Sequence, residues 1–131
     1  MQLLWLAHDF CVCQLPTDAE VDWRAPFTCV FTTNEEISLV CKTSAAPQTT
    51  LKKESGWRAL RVVGVLDFSL TGILAGLTEV LKQADIGVFA ISTYNTDYLL
   101  VKAVQARAAQ TALCAKGYVF LKDVDAVIEE S

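Results

Sequence analysis

The sequence predicts an α+β fold in which two helices pack on antiparallel strands. Two observations predict it. In the second half of the chain, short apolar runs of strand length flank two stretches with helical spacing. In addition, 53% of the 131 residues are hydrophobic and only 20% are charged, so the chain can fill a core. A chain of this length suits one compact domain or two very small ones.

The first half is predicted to contain three strands and little helix. Residues 3–15 form a long strand with partly alternating polarity, and residues 17–24 could form a single helical turn. A hairpin follows, with strands at 27–33 and 37–42. Residues 43–56 are rich in Ser, Thr, Pro and Lys and are interpreted as an internal linker.

The second half has the order βαββαβ, with strands at 57–66, 86–93, 97–102 and 118–121 and helices at 70–84 and 103–116. The apolar residues of 70–84 follow helical spacing, and Ser69 or Asp67 could cap that helix. A two-residue turn at Asn95-Thr96 joins the middle strands, and Gly117 suits the end of the second helix.

The βαββαβ order is that of the ferredoxin-like fold. We therefore expect a complete ferredoxin-like unit at 56–131 and an abbreviated version of it at 1–55. Both faces of the predicted sheet are apolar, and the helices cover only one. Either the first half of the chain or a second subunit must cover the other, and the high apolar fraction of the sequence favours a homodimer.

Charge and cysteine usage exclude several classes of protein. The net charge is −4 and the pI about 4.9, without a basic cluster for nucleic acid or an anionic membrane. The N-terminal apolar run is too short for a signal peptide, and no apolar run approaches membrane-spanning length. Five cysteines without disulfide-framework spacing predict a cytoplasmic protein in a reducing compartment.

The sequence contains no recognisable catalytic, metal or cofactor motif. His8 is the only histidine, and Cys11 and Cys13 have no second pair at zinc-site spacing. Neither a P-loop nor a G-x-G-x-x-G motif occurs. We expect a protein that is not an enzyme and that holds no metal or cofactor.

Three segments of the second half resemble the ACT domain. They are GWRALRVVG (56–64), DFSLTGIL (67–74) and AISTYNTDYLLVK (90–102). The chain is most similar to small tandem-ACT proteins related to the CASTOR-type cytosolic arginine sensors, and FTCVFTTNEEISLVC (27–41) resembles the first hairpin of that group. The resemblance implies a regulatory fold with two ACT-like units, which pair and bind small molecules, often amino acids, at an interface.

The resemblance also implies which residues bind the ligand. They lie in the loop before a helix, at the start of the central strand and in a turn that ends in aspartate: Ser69, Leu70, Thr71 and Gly72; Ile86, Gly87 and Val88; and Thr93, Tyr94, Asn95, Thr96 and Asp97. The amides at the helix start would receive a carboxylate. Asp97 would accept an ammonium group, and Thr71, Thr93 and Asn95 would add neutral hydrogen bonds. Equally, these residues could serve only as a helix cap and a hairpin turn.

The predicted function is a non-catalytic module that binds a small molecule, an amino acid in view of the resemblance, and acts as a regulator or sensor. The alternative is a structural ACT unit with a vestigial pocket that acts by dimerisation. An RNA-binding role is disfavoured because Tyr94 and Tyr98, which flank the turn, lack basic partners on the strands and the chain is acidic. An acylphosphatase-like enzyme would need an arginine in the anion-binding loop, and residues 67–72 contain none.

Overall fold

The computed structural model describes residues 1–66 and 72–126. Within them, seven strands and two α-helices follow one another along the chain: β1 (Gln2–Leu15), β2 (Cys29–Thr32), β3 (Ile37–Lys42), β4 (Lys52–Val62), α1 (Ile73–Gln83), β5 (Val88–Ser92), β6 (Asp97–Lys102), α2 (Ala106–Ala115) and β7 (Val119–Phe120). Short 3-10 helices occur at Thr43–Ala45, Ala103–Gln105 and Val124–Ala126. The predicted α+β class is confirmed.

The described residues divide into two compact units. The helical unit consists of residues 1–7 and 58–126, and the hairpin unit consists of residues 8–57. The first seven residues thus group with the helices, although they are distant from them in sequence. The predicted division of the chain into domains at residues 55 and 56 stays a prediction.

The sheet of the helical unit has the strand order β7-β1-β4-β6-β5. β5 and β6 form an antiparallel hairpin in which Val88 is opposite Val101 and Ser92 is opposite Asp97. The start of β1 lies between β4 and β7, and it pairs with β7 in parallel. The predicted βαββαβ order is therefore present from β4 to β7, with β1 added to the sheet.

Both helices pack on one face of this sheet and enclose the core of the helical unit. Alternate residues at the end of β4 (Leu60 and Val62) and in β6 (Leu99 and Val101) contribute to it, because side chains alternate between the two faces of a strand. The fully buried members are Leu3, Leu60, Val62, Leu77, Leu81, Leu99, Val101, Ala109 and Leu113. Burying a leucine side chain contributes about 1.5–3 kcal/mol, so this core is the main source of stability in the unit.

Helix α1 begins later than the sequence predicts. Its N-cap is Gly72, whose φ of 81° lies in the left-handed region that glycine adopts without strain. The predicted caps Ser69 and Asp67 lie outside the described residues. α2 ends as predicted, since Gly117 has a φ of 93° just beyond it. No helix among the described residues is long and apolar enough to cross a membrane.

The first half of α2 is tied to the segment that follows β7. Gln110 accepts hydrogen bonds from Trp5 Nε1 and from the Val124 amide, both at 2.9 Å. Arg107 donates to both carboxylate oxygens of Asp123, at 2.7 and 2.6 Å. The bond to Gln110 satisfies the indole N–H of Trp5, which is only 1% exposed.

The hairpin unit contains β2, β3 and the second part of β1, all paired antiparallel. Its core is formed by Cys11, Cys13, Leu15, Ile37, Leu39 and Cys41. Residues 16–28 contain turns and no helix, so the predicted helical turn at 17–24 is wrong. β4 begins at Lys52, within the predicted linker, and the Leu51 amide next to it donates to the Gln14 carbonyl at 2.8 Å.

Candidate functional site

The turn between β5 and β6 is closed by two threonines. The Thr93 amide donates to the Thr96 carbonyl at 2.9 Å, and the Thr96 amide donates to Thr93 Oγ1 at 3.3 Å. Tyr94 and Asn95 are therefore the central residues of the turn, one position earlier than predicted. The turn is a defined structure rather than a loose loop.

Thr96 anchors this turn to the neighbouring strand. It is only 5% exposed, and its hydroxyl donates to the carbonyl of Val62 in β4 at 2.7 Å. The backbone carbonyl of Asn95 accepts a hydrogen bond from the Leu66 amide at 2.6 Å. These bonds hold the turn at the end of β4. The Thr96 hydroxyl proton is already donated to the Val62 carbonyl.

Asp97 follows the turn and is held by its cross-strand neighbour. The Ser92 hydroxyl donates to Asp97 Oδ1 at 2.6 Å, a charge-assisted hydrogen bond that orients the carboxylate. Asp97 Oδ2 forms no hydrogen bond with any residue that the structure describes. One carboxylate oxygen is thus available to a ligand.

The start of α1 has backbone donors that no hydrogen bond within the helix uses. The first amide to be bonded within the helix is that of Gly76, which donates to the Gly72 carbonyl at 2.8 Å. Gly72 has no side chain with which to cap the earlier amides, and the first turn contains no acidic residue. These amides and the positive end of the helix dipole favour an anion here.

A cavity of about 280 Å³ lies between the helix start and the hairpin. Its lining comes from Leu66, which follows β4, from the first turn of α1 and from the β5–β6 turn with its flanking residues. The lining residues are Leu66, Gly72, Ile73, Leu74, Ala75, Ser92, Thr93, Tyr94, Asn95, Thr96 and Asp97. The structure therefore brings together six predicted site residues, Gly72 and Thr93 through Asp97.

The other predicted site residues are placed differently. Ile86 is 5% exposed and donates its amide to the Leu81 carbonyl at the end of α1, and Val88 packs against the core. Together with Gly87, they do not line this cavity. The remaining three, Ser69, Leu70 and Thr71, lie outside the described residues.

Sequence reasoning missed Ser92 and the apolar part of the lining. Ser92 could have been found as the residue opposite Asp97, because residues that flank a hairpin turn face each other across the strands. Leu66, Ile73 and Leu74 follow the usual pattern of core residues. Only the coordinates show that they also border a cavity.

The hairpin unit contains a second candidate for a functional site, the cluster of Cys11, Cys13 and Cys41. Cys11 Sγ lies 3.7 Å from the sulfur atoms of both Cys13 and Cys41. Burial raises the pKa of all three thiols, that of Cys13 to about 11, so they stay protonated. The described residues contain no group of three or more His, Cys, Asp or Glu that could hold a metal ion. The three cysteines are therefore interpreted as core residues of the hairpin unit.

The segment that carries the cavity can be compared with known families. Residues 52–115 match the family model of the ACT domain. This stretch extends from β4 to α2 and contains every residue that lines the cavity. The match supports the predicted ACT family, whose members are typically regulatory, non-catalytic ligand-binding modules. The resemblance to arginine sensors stays a prediction.

Solved structures of other proteins have a similar fold. Protein Atu0741 from Agobacterium tumefaciens has a TM-score of 0.82 and 24% identity, covering 99% of this chain and 94% of that one. VC0802 from Vibrio cholerae, a possible transport protein, has a TM-score of 0.66 and 19% identity, covering 85% of each chain. Aspartate kinase from Clostridium acetobutylicum, an allosteric enzyme, has a TM-score of 0.59 and 11% identity, covering 80% of this chain and 32% of that one.

At these identities, the likeness to solved structures is one of fold. No curated protein matches the sequence. The fold of the helical unit is thus an ACT-like ferredoxin-type fold, with two helices on an antiparallel sheet.

Proposed function

We propose that the helical unit binds a free amino acid in the cavity between α1 and the β5–β6 turn, and that it acts as a non-catalytic regulatory module. The observation that carries this proposal is the pairing of opposite charges across one cavity. The helix start, whose N-cap Gly72 has no side chain, lies on one side and the Asp97 carboxylate on the other. An amino acid carries the two complementary charges.

The helix start would hold the ligand carboxylate. The amides of Ile73, Leu74 and Ala75 belong to the first turn, and all three residues line the cavity. Gly72 leaves the backbone open to close approach, because no atom lies within 4 Å of the position that a Cβ would occupy. A carboxylate bound here needs no arginine or lysine.

Asp97 would hold the ligand ammonium group through its free oxygen. Ser92 fixes the carboxylate, so little side-chain freedom would be lost on binding. The Asn95 side chain is exposed and forms no hydrogen bond within the described residues, so it can supply a further polar contact. Thr93 and Thr96 would act indirectly by holding the turn.

The remaining predicted contacts are kept as part of the proposal. Ser69, Leu70 and Thr71 precede Gly72 in the sequence and would extend the carboxylate-binding loop. The resemblance implies that Ile86, Gly87 and Val88 also contact the ligand, and we propose that they do so through a second copy of the chain. ACT domains often dimerise, and we propose a homodimer. The free state of all five cysteines supports a reducing compartment, such as the cytoplasm.

The alternative is a structural ACT unit that acts through protein contacts alone. Three apolar side chains of the helical unit favour it, because Val65, Tyr94 and Val104 are 75%, 80% and 93% exposed. Sedimentation that shows a tight dimer without a response to any metabolite would support this role. A monomer at micromolar concentration would contradict it.

Thermal unfolding against the twenty amino acids tests the amino-acid proposal. A ligand at 100 times its Kd stabilises the folded state by about 2.7 kcal/mol, which raises Tm by several degrees. Asp97→Asn should abolish the shift, whereas Glu36→Gln, which removes one negative charge from the other hairpin turn, should not. If no amino acid raises the Tm of the unmodified protein, the proposal is wrong.

A further inference from the structure

The cavity in the helical unit has a one-sided set of charged residues. Among the described residues that line it, Asp97 is the one that carries a charge, and none is lysine, arginine or histidine. In the sequence, the adjoining residues 67–71 contain one acidic residue, Asp67, and no basic one. The described lining can therefore balance one ammonium group with a side chain, but it must balance any carboxylate with backbone amides.

We infer that this cavity selects amino acids with an uncharged, apolar side chain and rejects aspartate and glutamate. The inference rests on the proposed function, since it names the ligand class of the same site. It follows from three features: the charged residues that line the cavity, the hydrogen bond between Ser92 and Asp97, and the apolar residues of the lining.

A second carboxylate would find no partner in the cavity. The helix start provides one group of amides, and the α-carboxylate of the ligand uses it. A side-chain carboxylate would then face Leu66 and Leu74, or approach the like charge of Asp97. Leaving an ionised group dehydrated without a counter-charge is strongly unfavourable. Acidic amino acids should therefore bind poorly.

A second cationic group would find no further carboxylate among the described lining residues, and Asn95 would offer it only a neutral oxygen. Ser92 occupies Asp97 Oδ1, so Oδ2 remains for one ammonium group, the α-ammonium of the ligand. The rest of the wall near the helix consists of Leu66, Ile73, Leu74 and Ala75, whose side chains accept no hydrogen bonds. Lysine and arginine should bind more weakly than leucine or valine.

The size of the cavity agrees with a small ligand. Its volume of about 280 Å³ lies near the lower end of the range for small-molecule sites, which is about 300–1,000 Å³. A free amino acid suits this volume better than a nucleotide. An apolar side chain would complete the apolar surface that Leu66, Ile73 and Leu74 present.

Isothermal titration of the full chain with leucine, valine, methionine, aspartate, glutamate, lysine and arginine tests the inference. We expect the apolar group to bind at least about tenfold more tightly than the acidic and basic groups. If aspartate, glutamate, lysine or arginine binds best, and Asp97→Asn weakens that binding, the inference is wrong while the proposed function stands. If no amino acid binds, the proposed function fails first.

A specificity change provides a second test. Ala75 is exposed and lines the cavity, so a longer side chain can be accommodated there. Ala75→Lys would add the missing cation, and it should improve glutamate binding relative to leucine by about tenfold or more. Ala75→Gln is the matched uncharged control and should not do so. Equal glutamate-to-leucine ratios in the two variants, both folded by circular dichroism, would contradict the inference.

Discussion

The two β-hairpins of this protein share a turn but differ in what surrounds it. In β2–β3, the Thr33 amide donates to the Glu36 carbonyl at 2.9 Å, and in β5–β6 the Thr93 amide donates to the Thr96 carbonyl at the same distance. Thr33 Oγ1 and Thr93 Oγ1 each accept hydrogen bonds from turn amides. The threonine turn is therefore a structural device that occurs with or without a polar cavity.

The residues that flank the two turns are different. Thr32 and Ile37 face each other in the hairpin unit, at the positions that Ser92 and Asp97 occupy in the helical unit. Ile37 is 8% exposed and belongs to an apolar core, whereas Asp97 borders a cavity. A helix start also borders the second turn, while residues 16–28 contain no helix.

This difference shows which features deserve a functional interpretation. The turn itself is explained by backbone hydrogen bonds, since it forms equally well beside Ile37. The Ser92–Asp97 pair and the free helix start have no such structural counterpart in the hairpin unit. The proposed amino-acid site therefore depends on the Ser92–Asp97 pair and the start of α1, and the two units should respond differently to reagents and substitutions.

Thiol reactivity should separate the units most strongly. Burial raises the pKa of Cys13 in the hairpin unit from 9.0 to about 11, which lowers the thiolate population about 100-fold, whereas Cys114 in the helical unit is exposed. A thiol reagent at pH 8 should modify the exposed Cys114 at least about 100-fold faster than the buried Cys13, and also faster than the buried Cys11 and Cys41, as followed by mass spectrometry. Comparable rates would show that the thiol cluster is accessible.

Equivalent leucines should differ in how much stability they provide. Leu99→Ala removes a side chain from the helix-covered core and should cost about 3–5 kcal/mol, because the packed helices cannot collapse into the cavity. Leu39→Ala in the hairpin unit should cost about 2–3 kcal/mol, because residues of the adjoining loop can relax. Urea unfolding measures both. A larger loss for Leu39→Ala would contradict this account of the two cores.

The Thr96–Val62 hydrogen bond at the β5–β6 turn should contribute more to stability than the Ser38–Glu36 hydrogen bond at the β2–β3 turn. Thr96→Val leaves the buried Val62 carbonyl without its hydroxyl partner and should cost about 1–2 kcal/mol. Glu36→Ala removes only a partly exposed bond with Ser38 and should cost less than about 0.5 kcal/mol. Equal losses in urea unfolding would show that the Thr96 bond is not an anchor.

The ion pair of the helical unit should add a small acid sensitivity. Arg107, then the Asp125 amide and Gln110, hold the pKa of Asp123 well below its ordinary value of 3.8. The unfolded chain therefore takes up this proton first, so the stabilisation is present above about pH 4 and is lost as the pH falls below it. Asp123→Asn should flatten the pH dependence of Tm between about pH 4 and pH 2, as calorimetry can measure. An unchanged acid slope would exclude this role.

Strand positions were predictable where alternation sets burial. The strand at 97–102 coincides with β6, because Leu99 and Val101 face the core. The start of α1 was misplaced, since Gly72 in a left-handed conformation interrupts an apolar pattern that otherwise continues through Leu70. The first part of β4, from Lys52, was assigned to the linker because its charged residues resemble those of a linker.

Long-range pairing explains what the sequence could not show. The Val63 amide donates to the Gln2 carbonyl, which brings the N-terminal strand into the helical unit. No local pattern indicates a partner sixty residues away. The polar turn at Tyr94 to Asp97 was recognisable as a candidate site, but its meeting with the first turn of α1 depends on the fold.

An NMR titration of the labelled protein with leucine tests the central claim most directly. The account predicts saturable amide shifts at Gly72, in the first turn of α1 and from Ser92 to Asp97, with no comparable shifts from Thr32 to Ile37. If leucine and the other amino acids leave residues 92–97 unperturbed, or if both hairpin turns respond alike, the amino-acid site proposed in the helical unit does not exist.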